Sequence, residues 1–273
     1  MNYKQLPIIL SEIIIKMNKI FFIVAICCVT FQSIAQPKIY STSNAHSHND
    51  YEQKSPFFAA YDAGFGSIEA DIYLIDGQLL VAHERNQVSK EKTLEALYLK
   101  PLAEKIQQNK GSVYPNKKKT LNILIDCKTD GVPALDVLTL LLKGYNELIT
   151  NKNLRFVISG NRPKETDYHL YPDYIQFDGR LGIDYTPEML SKIAIVSDYY
   201  GTYSRWNGKD SLPEADKIRL TTLIDKVHQL KKPIRFWASP DTPNAWEIFK
   251  QLGVDYINTD KIEELKGFLQ KNK

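Results

Sequence analysis

The sequence predicts an α/β fold, a single (β/α)8 TIM barrel, from three observations. Eight short apolar runs recur along the chain, mostly separated by stretches with helical patterning. Residues able to do chemistry gather where those runs end, at His46, His48, Asp71, Asp126, Lys128, Asp198 and Trp237. A length of 273 residues suits one large core of this kind, and no glycine-rich phosphate loop follows the first run, as an open doubly wound sheet would require.

The elements follow in order. Residues 45–50 are the end of a first strand, and 56–64 a short helix with Gly64 placed to cap it. Residues 67–84, SIEADIYLIDGQLLVAHE, form a hairpin. Residues 93–111 read as helical but broken at Pro101, which removes a donor and clashes with the preceding turn. LNILIDCK, 121–128, is a buried strand ending in polar residues, and 134–150 carries enough aliphatic positions for one long helix. Strands at 155–160 and 174–180 follow, then a short helix at 186–192 and a strand at 193–200. Ser211-Leu212-Pro213-Glu214 reads as a capping box opening a helix that Pro233 stops. IRFWAS, 234–239, is a strand, Thr242-Pro243 opens the helix that Gly253 ends, and a strand at 255–260 and a helix at 261–271 close the chain.

The N-terminus stands apart from this pattern. Lys19 precedes the apolar run 20–31, IFFIVAICCVTF, which is too short to span a bilayer comfortably, and Ser33-Ile34-Ala35 puts small residues where a signal peptidase reads. The expectation is a signal peptide over 1–35, with Met17 as an alternative start, and a barrel domain over 36–273. The mature protein is then exported, periplasmic or extracellular, with no stable membrane span. Cleavage removes Cys27 and Cys28 and leaves Cys127 alone, so no internal disulfide is possible. It also removes three lysines and one glutamate, taking the formal charge from +3 to +1. No basic, aromatic-laced stripe argues for nucleic acid, and nothing in the sequence sets the oligomeric state.

The hairpin and the segment AHSHNDY, 45–51, hold three of the five histidines. Glu69 and Asp71 are two apart, so on a strand both leave the same face and can share one divalent cation. A two-residue Asp76-Gly77 turn would pair Ile75 with Gln78 and put His83 on the other face. A three-residue loop with a bulge at Gly77 pairs Leu74 with Gln78 and brings His83 opposite Glu69. The bulge is the expectation.

These motifs carry a family resemblance. Histidines at the first strand end, then SIEAD, DGQLLVAHE, IDCK and IRFWASPDTPNAWEIFKQLGVDYINTD, resemble the glycerophosphodiester phosphodiesterases within the phospholipase C-like phosphodiesterase superfamily. HSHNDY and TLEALYLKPL are closer to a less characterised branch of it. The resemblance implies Glu69, Asp71 and Asp126 as ligands of one divalent cation, with Asp126 standing where the family commonly has glutamate. Three carboxylates favour Mg²⁺ or Ca²⁺ over zinc. It implies Lys128 on the substrate phosphate and Trp237 against the leaving group. The catalytic histidines map to His83 and to either His46 or His48, which the sequence leaves undecided. The implied function is cleavage of a small-molecule or lipid-headgroup phosphodiester by two-histidine acid/base catalysis.

Two alternatives stay open. His46-x-His48 also resembles metal hydrolases of the amidohydrolase type, but only His169 and His228 remain downstream as further ligands. A non-catalytic barrel binding headgroups or glycans is the other, with the tyrosine-rich run 199–206 as an aromatic ledge.

Overall fold

The computed structural model of the chain describes residues 39–271, so the expected signal peptide, with Cys27 and Cys28, lies outside the described residues. The strands are β1 (Ala45–Ser47), β2 (Ser67–Ile75), β3 (Gln78–Val81), β4 (Leu121–Cys127), β5 (Leu154–Gly160), β6 (Ile175–Gly179), β7 (Ile193–Tyr199), β8 (Ile234–Trp237) and β9 (Ile257–Thr259). Eight of them run parallel in the order β8-β7-β6-β5-β4-β2-β1-β9, and β3 pairs antiparallel with β2 outside that path. A parallel bridge from Arg235 to Tyr256 joins β8 to the segment entering β9, with the Tyr256 amide donating to the Ile234 carbonyl at 3.2 Å. The result is a nearly closed (β/α)8 barrel.

Helices α1 (Phe58–Ala63), α2 (Lys100–Gln108), α3 (Gly131–Leu142), α4 (Asn146–Ile149), α5 (Pro187–Ser191), α6 (Glu214–Gln229), α7 (Pro243–Leu252) and α8 (Ile262–Lys271) belong to this α/β architecture. No helix among the described residues is long and apolar enough to cross a membrane.

Strand alternation separates two environments. On β2, Ile68, Ala70 and Ile72 belong to the main apolar core, as do Ile123, Ile125 and Cys127 on β4. Residues of the opposite parity line the barrel. Leu124, Val157, Ala194 and Ile195 form a separate apolar cluster there. Burial of each large aliphatic side chain of that cluster contributes about 1.5–3 kcal/mol. The polar residues Glu69, Asp71, Ser159, Asp178, Ser197 and Arg235 are buried on β2, β5, β6, β7 and β8, with Glu69 level with Leu124, Asp178 level with Ile195, and Asp71, Ser159 and Ser197 further toward the C-terminal ends.

Three expectations are corrected. The hairpin has no bulge: Ile75 pairs with Gln78 and Leu74 with Leu79. Asp76 (φ 49°) and Gly77 (φ 74°) both adopt the left-handed conformation, which closes the loop in two residues with a twist matching the strands. The single helix over 134–150 is two, α3 and α4, separated where Tyr145 leaves helical geometry. Its hydroxyl donates to Glu95 at 2.6 Å, a tertiary contact that outweighs local propensity. The Ser211 capping box is not made. Helix α6 starts at Glu214, with Pro213 at its N-cap and no side-chain cap, so Glu214 sits too early to fold back as the third residue of a box. The break expected at Pro101 takes the form of a change in helix type without a gap: a π-helical turn over Glu95–Leu99 runs directly into α2, which carries the proline in its first turn.

Candidate active site

The site starts from strand register. Asp71 on β2 lies opposite Asp126 on β4, and Asp126 opposite Ser159 on β5. Two carboxylates on neighbouring strands repel, and Lys128, two residues beyond Asp126, neutralises them. Its Nζ lies 2.8 Å from Asp71 Oδ2 and 2.8 Å from Asp126 Oδ2. Burial opposes the charge on Lys128, but the two carboxylates outweigh it and raise its pKa. Ser159 Oγ donates to Asp126 Oδ1 at 2.7 Å. Gly160 lets the strand ends approach this closely: at φ 70° it is left-handed, and a Cβ there would meet the Cys127 carbonyl oxygen at 2.5 Å. Asp71 is fully buried, and its Oδ1 has no hydrogen-bond partner among the described residues. Burial, reinforced by the Glu69 charge, raises its carboxyl to about 6 against the pull of Lys128.

Deeper in the barrel, Arg235 on β8 holds a second cluster. Its Nη1 lies 2.8 Å from Glu69 Oε2 and 3.2 Å from Asn258 Oδ1, and touches His46 Nε2, while its Nε donates to Ser197 Oγ at 3.1 Å. Burial raises the Glu69 carboxyl, but Arg235 and His46 outweigh it and hold it well below the usual range. His46 is fully buried, with Nδ1 2.7 Å from Ser67 Oγ and Nε2 2.7 Å from Glu69 Oε2. Burial and Arg235 lower its pKa to about 3. The ring is therefore neutral near pH 7 and packed between fixed partners.

His48 sits differently. It leaves β1 just before Asn49, whose left-handed conformation turns the chain, and its Nδ1 lies 2.8 Å from Asp260 Oδ1. Burial works against its charged form, but the Asp260 hydrogen bond and the Glu69 charge outweigh that and raise its pKa. The next residue but one, Asp50, anchors this loop from below by accepting from Ser47 Oγ, the Phe57 amide and the Tyr98 hydroxyl.

His83 approaches the acidic rim without the bulge. After Val81 the chain leaves the regular ladder, the Ala82 amide donates to the Asp71 carbonyl at 3.3 Å, and the His83 carbonyl accepts from the Tyr73 hydroxyl at 3.1 Å. His83 Nδ1 then lies 3.6 Å from Asp71 Oδ2 and 3.1 Å from the Tyr51 hydroxyl, which is itself 2.7 Å from Asp71 Oδ2. A regular strand would have carried His83 to the other face; irregular backbone overrides that parity.

One cavity of about 440 Å³ collects these groups: His48, His83, Glu69, Asp126, Lys128 and Arg235 border it. His46 and Asp71 are not on its wall; Asp71 lies behind Lys128 and Tyr51. Trp237 is on the wall, 42% exposed, and packs against Tyr199 with ring centres 4.7 Å apart. The rest of the 199–206 run is mostly packing: Tyr200 is buried against Phe236 and Phe249, and Tyr203 rests on Phe236. Asp198 binds its own loop, accepting from the Tyr199 amide and the Tyr203 hydroxyl. His228 pairs with Asp255 at 2.8 Å, and His169 caps the Thr166 carbonyl, so neither joins His46 and His48. Cys127 is buried on the opposite parity, its thiol pushed up to about 12 by burial.

The site residues not singled out from sequence include Tyr51, Ser159, Asp178, Arg235 and Asp260. A signal existed for two of them. Arg235 and Asp178 are charges inside apolar strands, and Arg235 shares its face with Trp237 two positions on.

The donor chemistry fits a hard divalent cation. Glu69, Asp71 and Asp126 are all oxygen donors, and the bare buried oxygen of Asp71 lacks a partner that a cation would supply. No three His, Cys, Asp or Glu side chains converge as a ready-made cage among the described residues, because Lys128 sits between two of these carboxylates and Arg235 holds the third.

A (β/α)8 barrel that gathers carboxylates, histidines and a lysine at the C-terminal face of its strands holds them where the active sites of this fold lie. A crystallised glycerophosphodiester phosphodiesterase from Parabacteroides distasonis shares the fold with a TM-score of 0.53 and 16% identity, over 84% of this chain and 97% of that one. Residues 37–152 match the AIM6-like phosphodiesterase domain and residues 233–263 the glycerophosphoryl diester phosphodiesterase family. Over those two stretches the chain is similar to the glycerophosphodiester phosphodiesterase-like proteins. Among curated proteins, it is 26% identical to an altered inheritance of mitochondria protein 6 homolog of Arthroderma benhamiae, over 82% of each chain. It is 27% identical to altered inheritance of mitochondria protein 6 of Eremothecium gossypii, over 83% of this chain and 69% of that one.

Proposed function

We propose that the chain is an exported, divalent-cation-assisted phosphodiesterase that hydrolyses glycerophosphodiesters or related headgroup diesters, with His48 and His83 as its acid/base pair. One observation carries the reading: these two imidazoles border the same cavity as Lys128 and the Glu69 and Asp126 carboxylates.

Hydrolysis requires a proton to leave the attacking hydroxyl and another to reach the departing alkoxide. Asp260 favours the charged form of His48, which suits it to donate to the leaving oxygen. With the Tyr51 hydroxyl donating to Asp71, the phenolic oxygen accepts from His83 Nδ1–H, which leaves Nε2 bare to take the proton of a water or a neighbouring substrate hydroxyl. The new P–O bond forms as the P–O bond to the alcohol breaks, His48 gives its proton to the departing oxygen, and the proton gained by His83 balances the one His48 has lost. Lys128 supports the phosphoryl oxygens, and Trp237 offers an apolar face to the departing group. Glu69, Asp71 and Asp126 would hold Mg²⁺ or Ca²⁺, which supplies positive charge against the phosphate when bound. His46 is assigned a positioning role, because its surroundings keep it neutral and off the cavity wall.

The test is product release from glycerophosphocholine, glycerophosphoethanolamine and glycerophosphoinositol with Mg²⁺, with Ca²⁺ and with a chelator. Turnover that the chelator abolishes is expected; no turnover on any diester would favour a binding barrel. Export rests on the apolar 20–31 run and the Ser33-Ile34-Ala35 site, and the N-terminal mass of the mature protein tests it.

A further inference from the structure

We propose that the cavity wall built by the ends of β5 and β6 is a subsite for a second anionic group, so that the preferred diester carries a phosphorylated polyol as its alcohol. The inference rests on the phosphodiesterase reading above and adds the substrate class.

Arg162 follows β5, Arg180 follows β6, and both border the 440 Å³ cavity. The other two cations of this wall are engaged: Lys128 by Asp71 and Asp126, Arg235 by Glu69. Arg162 and Arg180 have no carboxylate within salt-bridge distance among the described residues. Arg162 donates through Nε to the Tyr168 hydroxyl at 3.0 Å, and Tyr168 is fully buried and stacked on Phe177. That contact fixes the guanidinium while leaving its two terminal nitrogens without an acceptor among the described residues. Among the described residues the Arg180 guanidinium makes only a long contact, 3.5 Å, to the Gly160 carbonyl. Two guanidinium groups on adjacent strand ends, one of them held in place, suit an anion with several oxygens.

Asp178 supplies an independent observation. It is 3% exposed and lines the same cavity from β6, and its Oδ1 has no hydrogen-bond partner among the described residues. A buried acceptor without a donor calls for a hydroxyl from outside. In the strand order, β6 lies across the barrel from β1, which carries His48 at its end. The wall therefore faces His48, the group assigned to protonate the leaving oxygen, and is placed to receive the alcohol. A hydroxylated alcohol bearing its own phosphate satisfies Asp178 and both arginines together.

The experiment compares kcat/KM on glycerophosphoinositol and on the same diester with one further phosphate on the inositol ring, for the natural protein and for R162Q/R180Q. A preference of about tenfold or more for the phosphorylated diester is expected, expressed in KM, and it should fall to near unity in the double variant. In parallel, calorimetry measures free inositol monophosphate binding to both proteins, and about tenfold weaker binding to the variant is expected. No preference in the natural protein, or a preference that survives in R162Q/R180Q, overturns the inference while leaving the phosphodiesterase reading intact. Should neither diester turn over, the phosphodiesterase reading falls and calorimetry decides: weaker binding to the variant supports the anion subsite, and equal binding overturns it.

Discussion

Arg235 Nη1 lies 2.8 Å from Glu69 Oε2, and both side chains are buried inside the barrel. Removing either partner leaves an uncompensated charge in a low-dielectric interior. Arg235→Ala should destabilise the fold by about 3–5 kcal/mol, measured by urea unfolding. The double variant R235M/E69L should recover much of that loss, because the desolvation of both charges disappears with them. A single-variant loss below about 1 kcal/mol would show that the pair is solvated in a way this geometry does not describe.

The two histidines of the first strand end should separate in their effects. His48→Ala is expected to lower kcat by about 10²–10⁴-fold with little change in thermal stability. His46→Ala should instead cost about 1–3 kcal/mol of stability, because Ser67 and Glu69 each lose a buried partner. Steady-state kinetics and thermal unfolding of both variants on one preparation check the pair.

Asp260 tunes His48. Its pKa, read by NMR titration, should lie above the ordinary value of about 6.5 and drop in Asp260→Asn. Because the folded-state pKa is the higher one, the contact stabilises fully below about pH 6.5, and its contribution is lost as pH rises through the folded pKa. The stability gap between the natural protein and D260N should therefore narrow on going to alkaline pH.

Cation binding has a readout that does not need turnover. Mg²⁺ or Ca²⁺ at about 100 times its Kd should stabilise the fold by about 2.7 kcal/mol, seen as a rise in Tm. Asp71→Asn should remove that rise, since it neutralises the buried carboxylate whose Oδ1 has no partner. A Tm indifferent to both ions would count against the three-carboxylate assignment.

Gly77→Ala tests the hairpin. At φ 74° with open space around it, the position opposes a side chain only through backbone conformation. A loss of about 1 kcal/mol is expected by denaturant unfolding.

Much of this site was legible in the sequence because strands have a period of two. Glu69 with Asp71, and Asp126 with Lys128, necessarily share faces, and a barrel of parallel strands brings their C-terminal ends to one rim. The eight parallel strands, the break at Pro101 and the cap at Gly64 follow from equally local rules. Three things needed the tertiary structure. The approach of His83 depends on where β3 leaves its ladder, and register reasoning from the Asp76-Gly77 turn alone assigns it the wrong loop. The difference between His46 and His48 arises from Arg235, 189 residues beyond His46, which meets His46 only when β8 and β1 curve into one ring. The unpaired state of Arg162 and Arg180 likewise depends on what does not come near them. Local sequence determines which way a side chain points; charge balance and burial depend on neighbours that only the closed barrel brings together.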